Sequence, residues 1–128
     1  MATITEDYVS FEIAKLLKEK GFNYSCRVIY SPKGVVKHYL EEEVYAHHLK
    51  GHKKLCPTLQ MAMKWLREVH KLDIDVSIEY KNSKKVYYYS ILKKTVIRDI
   101  DCLHSETNFD SYEEACEAAI KYCLKNLI

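Results

Sequence analysis

Glycine and proline are scarce, with Gly 3 and Pro 2 in 128 residues. This excludes collagen-like repeats and Gly/Pro-rich linkers. It also leaves no glycine-rich loop of the kind that cradles a phosphate. No stretch approaches the roughly 20 apolar residues that a membrane helix needs, so no membrane association is expected. The opening Met1-Ala2-Thr3-Ile4-Thr5-Glu6-Asp7 is acidic and lacks the apolar core of a secretory leader. The five cysteines, Cys26, Cys56, Cys102, Cys116 and Cys123, are odd in number and irregularly spaced. They oppose a disulfide framework and predict a reducing, cytoplasmic setting. Neither charge sign dominates: Lys+Arg 20 against Asp+Glu 18 gives +2, too balanced for a broad cationic nucleic-acid footprint.

What is present predicts a packed domain. Hydrophobic residues make up 48% and Tyr 11 stands out. The length suits a single domain over 1–128. The first predicted helix spans 5–20, with Thr5 as N-cap, Val9, Ile13, Leu16 and Leu17 as its stripe, and Gly21 as its stop. Cys26 to Tyr30 reads as a strand, and Ser31-Pro32-Lys33-Gly34 as a turn. Residues 35–49 fit either a returning strand or a helix, because Val36, Leu40 and Val44 repeat every four. A second helix is expected over 58–71, with Pro57 in its first turn and Leu59, Ala62, Met63, Leu66 and Val69 as its stripe. Ile74, Val76, Ile78 and Tyr80 alternate with polar residues as in a half-buried strand. A turn at 81–84 leads to a partner strand at 86–92, and a third strand is predicted over 95–102. Ser111-Tyr112-Glu113-Glu114 is a capping box that opens a last helix over 111–127. Its predicted buried face includes Tyr112, Ala115, Cys116, Ala119, Ile120 and Cys123. The fold class is therefore α+β, a small antiparallel sheet packed on helices, in the order α-β-β-α-β-β-(β)-α.

Three blocks, ITEDYVSFEIAKLLKEKGF, CPTLQMAMKWLREVH and SYEEACEAAIKYCLKNLI, resemble small proteins of gut Bacteroidales genomes and their phages. They cover the three predicted helices, a little under half of the chain. The resemblance implies an accessory protein of a prophage or mobile element, cytoplasmic in its host cell. It assigns no activity and no catalytic residue.

The chemistry-bearing candidates are few. The hairpin over 81–98 carries Lys81, Lys84, Lys85, Lys93, Lys94 and Arg98 and no acid. Tyr87, Tyr88 and Tyr89 lie between them. Alternation places Val86, Tyr88 and Leu92 on one face and Tyr87, Tyr89 and Ile91 on the other. The first set is expected to face the helices and the second to face outward. Tyr87, Tyr89, Lys84, Lys85, Lys93 and Lys94 then form the candidate binding residues. Exposed rings stack bases and cations hold phosphates, and the same surface suits a protein partner. The acid-rich segment 99–128 opposes the nucleic-acid reading, because it can neutralise the hairpin within the fold. His48, His52 and Cys56 are weak metal candidates, four residues apart. Gly51 and Pro57 break the helix that would align them, so no metal or other cofactor is expected. Glu41-Glu42-Glu43 reads as a solvated run. No nucleophile–base arrangement stands out, so an enzyme is not expected. The sequence thus points to a non-enzymatic binding protein with a protein partner or a homodimer. Nucleic acid on the hairpin 84–98 is the alternative.

Overall fold

A computed structural model describes residues 7–34, 37–49, 51–93, 101–105 and 107–128. The fold is α+β, with helices and two three-stranded antiparallel sheets. The chain divides into two compact units, Met1–Ala62 and Met63–Ile128.

In the first unit, helix α1 spans Phe11–Glu19. Ser10 starts it: its hydroxyl accepts from the Ile13 amide at 3.3 Å, as an N-cap does. The expected start near Thr5 is therefore too early, and Thr5 itself lies outside the described residues. The backbone before Ser10 is committed elsewhere. Tyr8 bridges Thr58, the Val9 amide donates to the Pro57 carbonyl, and the Leu59 amide donates to the Asp7 carbonyl. Val9 is fully buried, but as an extended residue. The helix stops in a Schellman motif, as Gly21 predicts: Phe22 donates to the Leu17 carbonyl and Gly21 to the Lys18 carbonyl. Gly21 has φ +85, which glycine alone adopts without strain.

The sheet of this unit is ordered β2-β1-β3, with β1 at Cys26–Tyr30, β2 at Lys37–Val44 and β3 at Lys54–Leu55. The turn between β1 and β2 closes with the Gly34 amide donating to the Ser31 carbonyl at 2.9 Å. Residues 37–44 are thus strand, and helical order returns only as one 3-10 turn at Ala46–His48. Of the four-residue repeat that suggested a helix, Leu40 and Val44 are half-buried on β2 and Val36 lies outside the described residues; Tyr39 on the same strand is 72% exposed. Glu41, Glu42 and Glu43 face solvent, as a charged run on an outer strand should. The buried Tyr30 hydroxyl donates to the Val9 carbonyl at 2.8 Å and ties β1 to the segment before α1.

Helix α2 spans Leu59–His70. Thr58, not Pro57, opens it, with its hydroxyl accepting from the Met61 amide at 3.1 Å. Leu59, Ala62, Met63, Trp65 and Leu66 are buried, whereas Val69, expected in the stripe, is 51% exposed.

The second unit holds a sheet ordered β4-β5-β6, with β4 at Leu72–Lys81, β5 at Lys84–Lys93 and β6 at Asp101–His104. Asn82 and Ser83 have φ of 50 and 65, the two left-handed residues of a type I′ hairpin turn. Of the third strand expected over 95–102, residues 95–100 lie outside the described residues; β6 includes 101 and 102 and runs on to His104. Helix α3 spans Tyr112–Tyr122 and continues as a π-helical turn over Cys123–Leu127. The Ser111 hydroxyl accepts from the Glu114 amide at 3.1 Å, and Glu114 reaches back to the Asp110 amide at 3.3 Å. Ala115, Cys116, Ala119, Ile120, Cys123 and Leu124 are fully buried. Tyr112 shares that side of the helix but stands in its first turn and is 39% exposed. Replacing Ser111 with Ala should lower stability by about 1 kcal/mol through loss of the cap. A shift of the urea midpoint at constant slope measures it.

Candidate functional site

The hairpin carries the candidate residues, and its register decides where they point. Ile74 pairs with Ile91, Val76 with Tyr89, Ile78 with Tyr87 and Tyr80 with Lys85. Directly paired residues share a face. Tyr87, Tyr89 and Ile91 therefore lie with the aliphatic residues of β4, on the side that meets α3. Ile91 is fully buried there, and the Tyr89 ring sits 6.5 Å from that of Tyr122 in α3. The expected outward orientation of Tyr87 and Tyr89 is thus reversed. Both rings are half-buried. Tyr89 stacks at 6.0 Å on Phe109, whose backbone exchanges two hydrogen bonds with Tyr87. The opposite face is not bare either. Val86 and Ser90 are buried, and the Ser90 hydroxyl lies 3.0 Å from the His104 ring nitrogen Nδ1.

The described cations do not form one surface. Lys84 pairs with Asp110 at 3.1 Å, so the acidic segment does neutralise part of the hairpin. Lys85 lies over the Tyr87 ring at 5.3 Å, and a hydrogen bond with the Tyr87 side chain holds its ammonium above the ordinary lysine value. Lys93 is half-buried at the far end of β5, eight residues or about 26 Å along the strand from Lys85. Lys94 lies outside the described residues.

Two residues that sequence reasoning assigned to the interior stand in the open. Ile78 is 51% exposed and Tyr80 70%. They continue the apolar face of β4 past the point where α3 covers it. The helix is the shorter element: ten strand residues extend about 33 Å, whereas α3 with its π-helical turn, Tyr112 to Leu127, rises only about 24 Å. Burial is complete at Leu72 and Ile91 and fades toward the turn. β4 is also the outer strand of its sheet. Its outer edge, which pairs with no strand among the described residues, and the Ile78–Tyr80–Tyr87 face make a surface that another chain's strand or apolar side chains can cover.

The weak metal candidates stay apart. His48 lies on the 3-10 turn, with Nδ1 accepting from the Tyr45 amide. His52 is in the following loop, and Cys56 is buried with its thiol toward the Val9 carbonyl at 3.6 Å. Among the described residues, no three His, Cys, Asp or Glu side chains gather into a metal-ligating group.

The thiols are free. Cys26, Cys56, Cys116 and Cys123 are buried and Cys102 is exposed. Burial first, then Cys56 and Glu43, pushes Cys26 up to about 12; burial alone pushes Cys123 to about 12. Both are neutral thiols at pH 8, a poor state for nucleophilic attack. A disulfide-exchange reagent at pH 8 should therefore modify Cys102 rapidly and the four buried thiols only on unfolding. The linkage has a definite sign. A thiol pKa raised by folding stabilises the native state below the ordinary 9.0, and that contribution is lost as pH climbs from there toward about 12. Rapid modification of two or more thiols in the native protein would contradict these placements.

No protein-family model, curated protein or solved structure matches the chain.

Proposed function

We propose that this chain is a non-enzymatic binding protein that engages a protein partner, or a second copy of itself, through the distal half of the β4–β5 hairpin. The carrying observation is the exposure of Ile78 and Tyr80 on an outer strand, on the face that is buried farther along. Apolar side chains on a free strand edge leave both surface and backbone groups to satisfy, and association satisfies both. The resemblance of the helix blocks to proteins of gut Bacteroidales and their phages supports an accessory role for a phage or mobile element in the host cytoplasm.

Sedimentation velocity across a concentration series tests self-association first. Reversible dimerisation that disappears in an Ile78→Asp, Tyr80→Ser variant of unchanged circular dichroism supports the reading. The nucleic-acid alternative would show itself as salt-sensitive binding of mixed oligonucleotides. The Lys84–Asp110 pair and the wide spacing of Lys85 and Lys93 weigh against it.

A further inference from the structure

The first unit holds a cavity of about 130 Å³ between α1 and the segment that leads into β3. Its wall is mainly apolar, with Ala14, Leu17, Phe22, Leu49 and Leu55 among the lining residues, and Lys18 and Lys53 also line it. Among the described residues, no acidic side chain lines it. The size is close to the roughly 150 Å³ of an apolar cavity that accommodates benzene. We propose that this cavity is a binding site for a small amphipathic carboxylate, with an apolar body of about six to nine non-hydrogen atoms.

The charge distribution supplies the second half of the argument. Lys18 donates to the Lys53 backbone carbonyl at 3.4 Å, which engages one of the three N–H donors of its ammonium. Among the described residues, neither Lys18 nor Lys53 has a carboxylate within ion-pair distance. The neighbouring Lys54 adds to this excess. Its ammonium lies 5.2 Å from the centre of the Phe11 ring and donates to the His52 carbonyl at 2.9 Å. Burial, then the charges of Lys18 and Lys15, pushes it below the ordinary lysine value. Positive charge is thus concentrated beside an apolar chamber without local neutralisation. Inorganic phosphate would use the cations and waste the wall; a neutral hydrocarbon would use the wall and leave the cations unpaired. A carboxylate on a short aliphatic or aryl body satisfies both, with charge-assisted hydrogen bonds at the lysine end.

Titration of the full chain with sodium octanoate, followed by backbone amide chemical shifts, tests the site, with 1-octanol as the uncharged control. Saturable shifts centred on Ala14, Leu17, Phe22 and Leu55 are expected. The Lys18→Gln, Lys53→Gln variant, altered only in side chains that reach the surface, should bind octanoate about tenfold or more weakly. Its response to 1-octanol should be unchanged. Across butanoate to dodecanoate the affinity should peak near the length the cavity holds. No saturable shift, equal affinity in the lysine variant, equal binding of octanoate and octanol, or a steady rise to dodecanoate would each overturn the proposal.

Discussion

Ile91→Thr should lower stability by about 2–4 kcal/mol, because it removes buried apolar volume and places a hydroxyl in the interior. Ile91 is fully buried on the central strand, beneath α3. The same substitution at Ile78, on the same face of the hairpin, should change stability by less than about 0.5 kcal/mol. Threonine keeps the β-branched form that strands favour, so the comparison isolates burial from strand propensity. Urea unfolding of the two variants, followed by far-ultraviolet circular dichroism, measures the contrast. Similar losses at both positions would mean that α3 or another segment covers the distal hairpin, and the candidate surface would disappear with it.

The second large effect is expected at Gly34. Its φ is +72, and a Cβ built there runs into the ring of Phe11. Left-handed strain and overpacking then act together, and Gly34→Ala should cost about 2–4 kcal/mol. Gly21 provides the control. Its φ is +85, but nothing lies within 4 Å of an added Cβ. Gly21→Ala should therefore show strain alone, about 1–2 kcal/mol. A Gly34 variant no less stable than the Gly21 variant would show that Phe11 moves aside freely. Phe11 is not a loose ring: it packs edge-on against Tyr30 at 5.5 Å and lies beneath the Lys54 ammonium.

Local signals carried much of the fold. Ser111-Tyr112-Glu113-Glu114 opens α3 through the hydroxyl contact its spacing implies, and Gly21 and Gly34 stand at the turns assigned to them. The start of α1 was less legible, because Glu6 and Asp7 satisfy the dipole preference of a helix start as well as Ser10 satisfies its capping preference. What decides is the pairing of residues 7–9 with 57–59, about fifty residues away in sequence. Residues 35–49 resisted assignment for a similar reason: pairing with β1, rather than their own periodicity, makes 37–44 a strand.

The candidate surface was misread, although part of the correction was within reach. A two-residue turn at Asn82-Ser83 forces even-numbered residues of β4 opposite odd-numbered residues of β5. The aliphatic alternation of Ile74, Val76 and Ile78 therefore places Tyr87, Tyr89 and Ile91 on the inner side. Comparing Val86, Tyr88 and Leu92 with their neighbours on β5 alone ignored that cross-strand constraint. The exposure of Ile78 and Tyr80 was not readable in the same way. It depends on which end of a long hairpin a shorter helix covers, and no local pattern in either element records that.

Photo-crosslinking from position 80 tests most directly whether the distal hairpin is a protein-binding surface. A benzophenone amino acid replaces Tyr80 in the full chain, which is irradiated in a lysate of the cells that encode it. A parallel chain carries the same group at Tyr39, which is 72% exposed on β2 in the first unit. If it is, one discrete adduct forms from position 80, to a second copy or to another protein. That adduct should be lost on adding Ile78→Asp and absent from position 39. No adduct from position 80, or the same adducts from both positions, would contradict a protein-binding surface there.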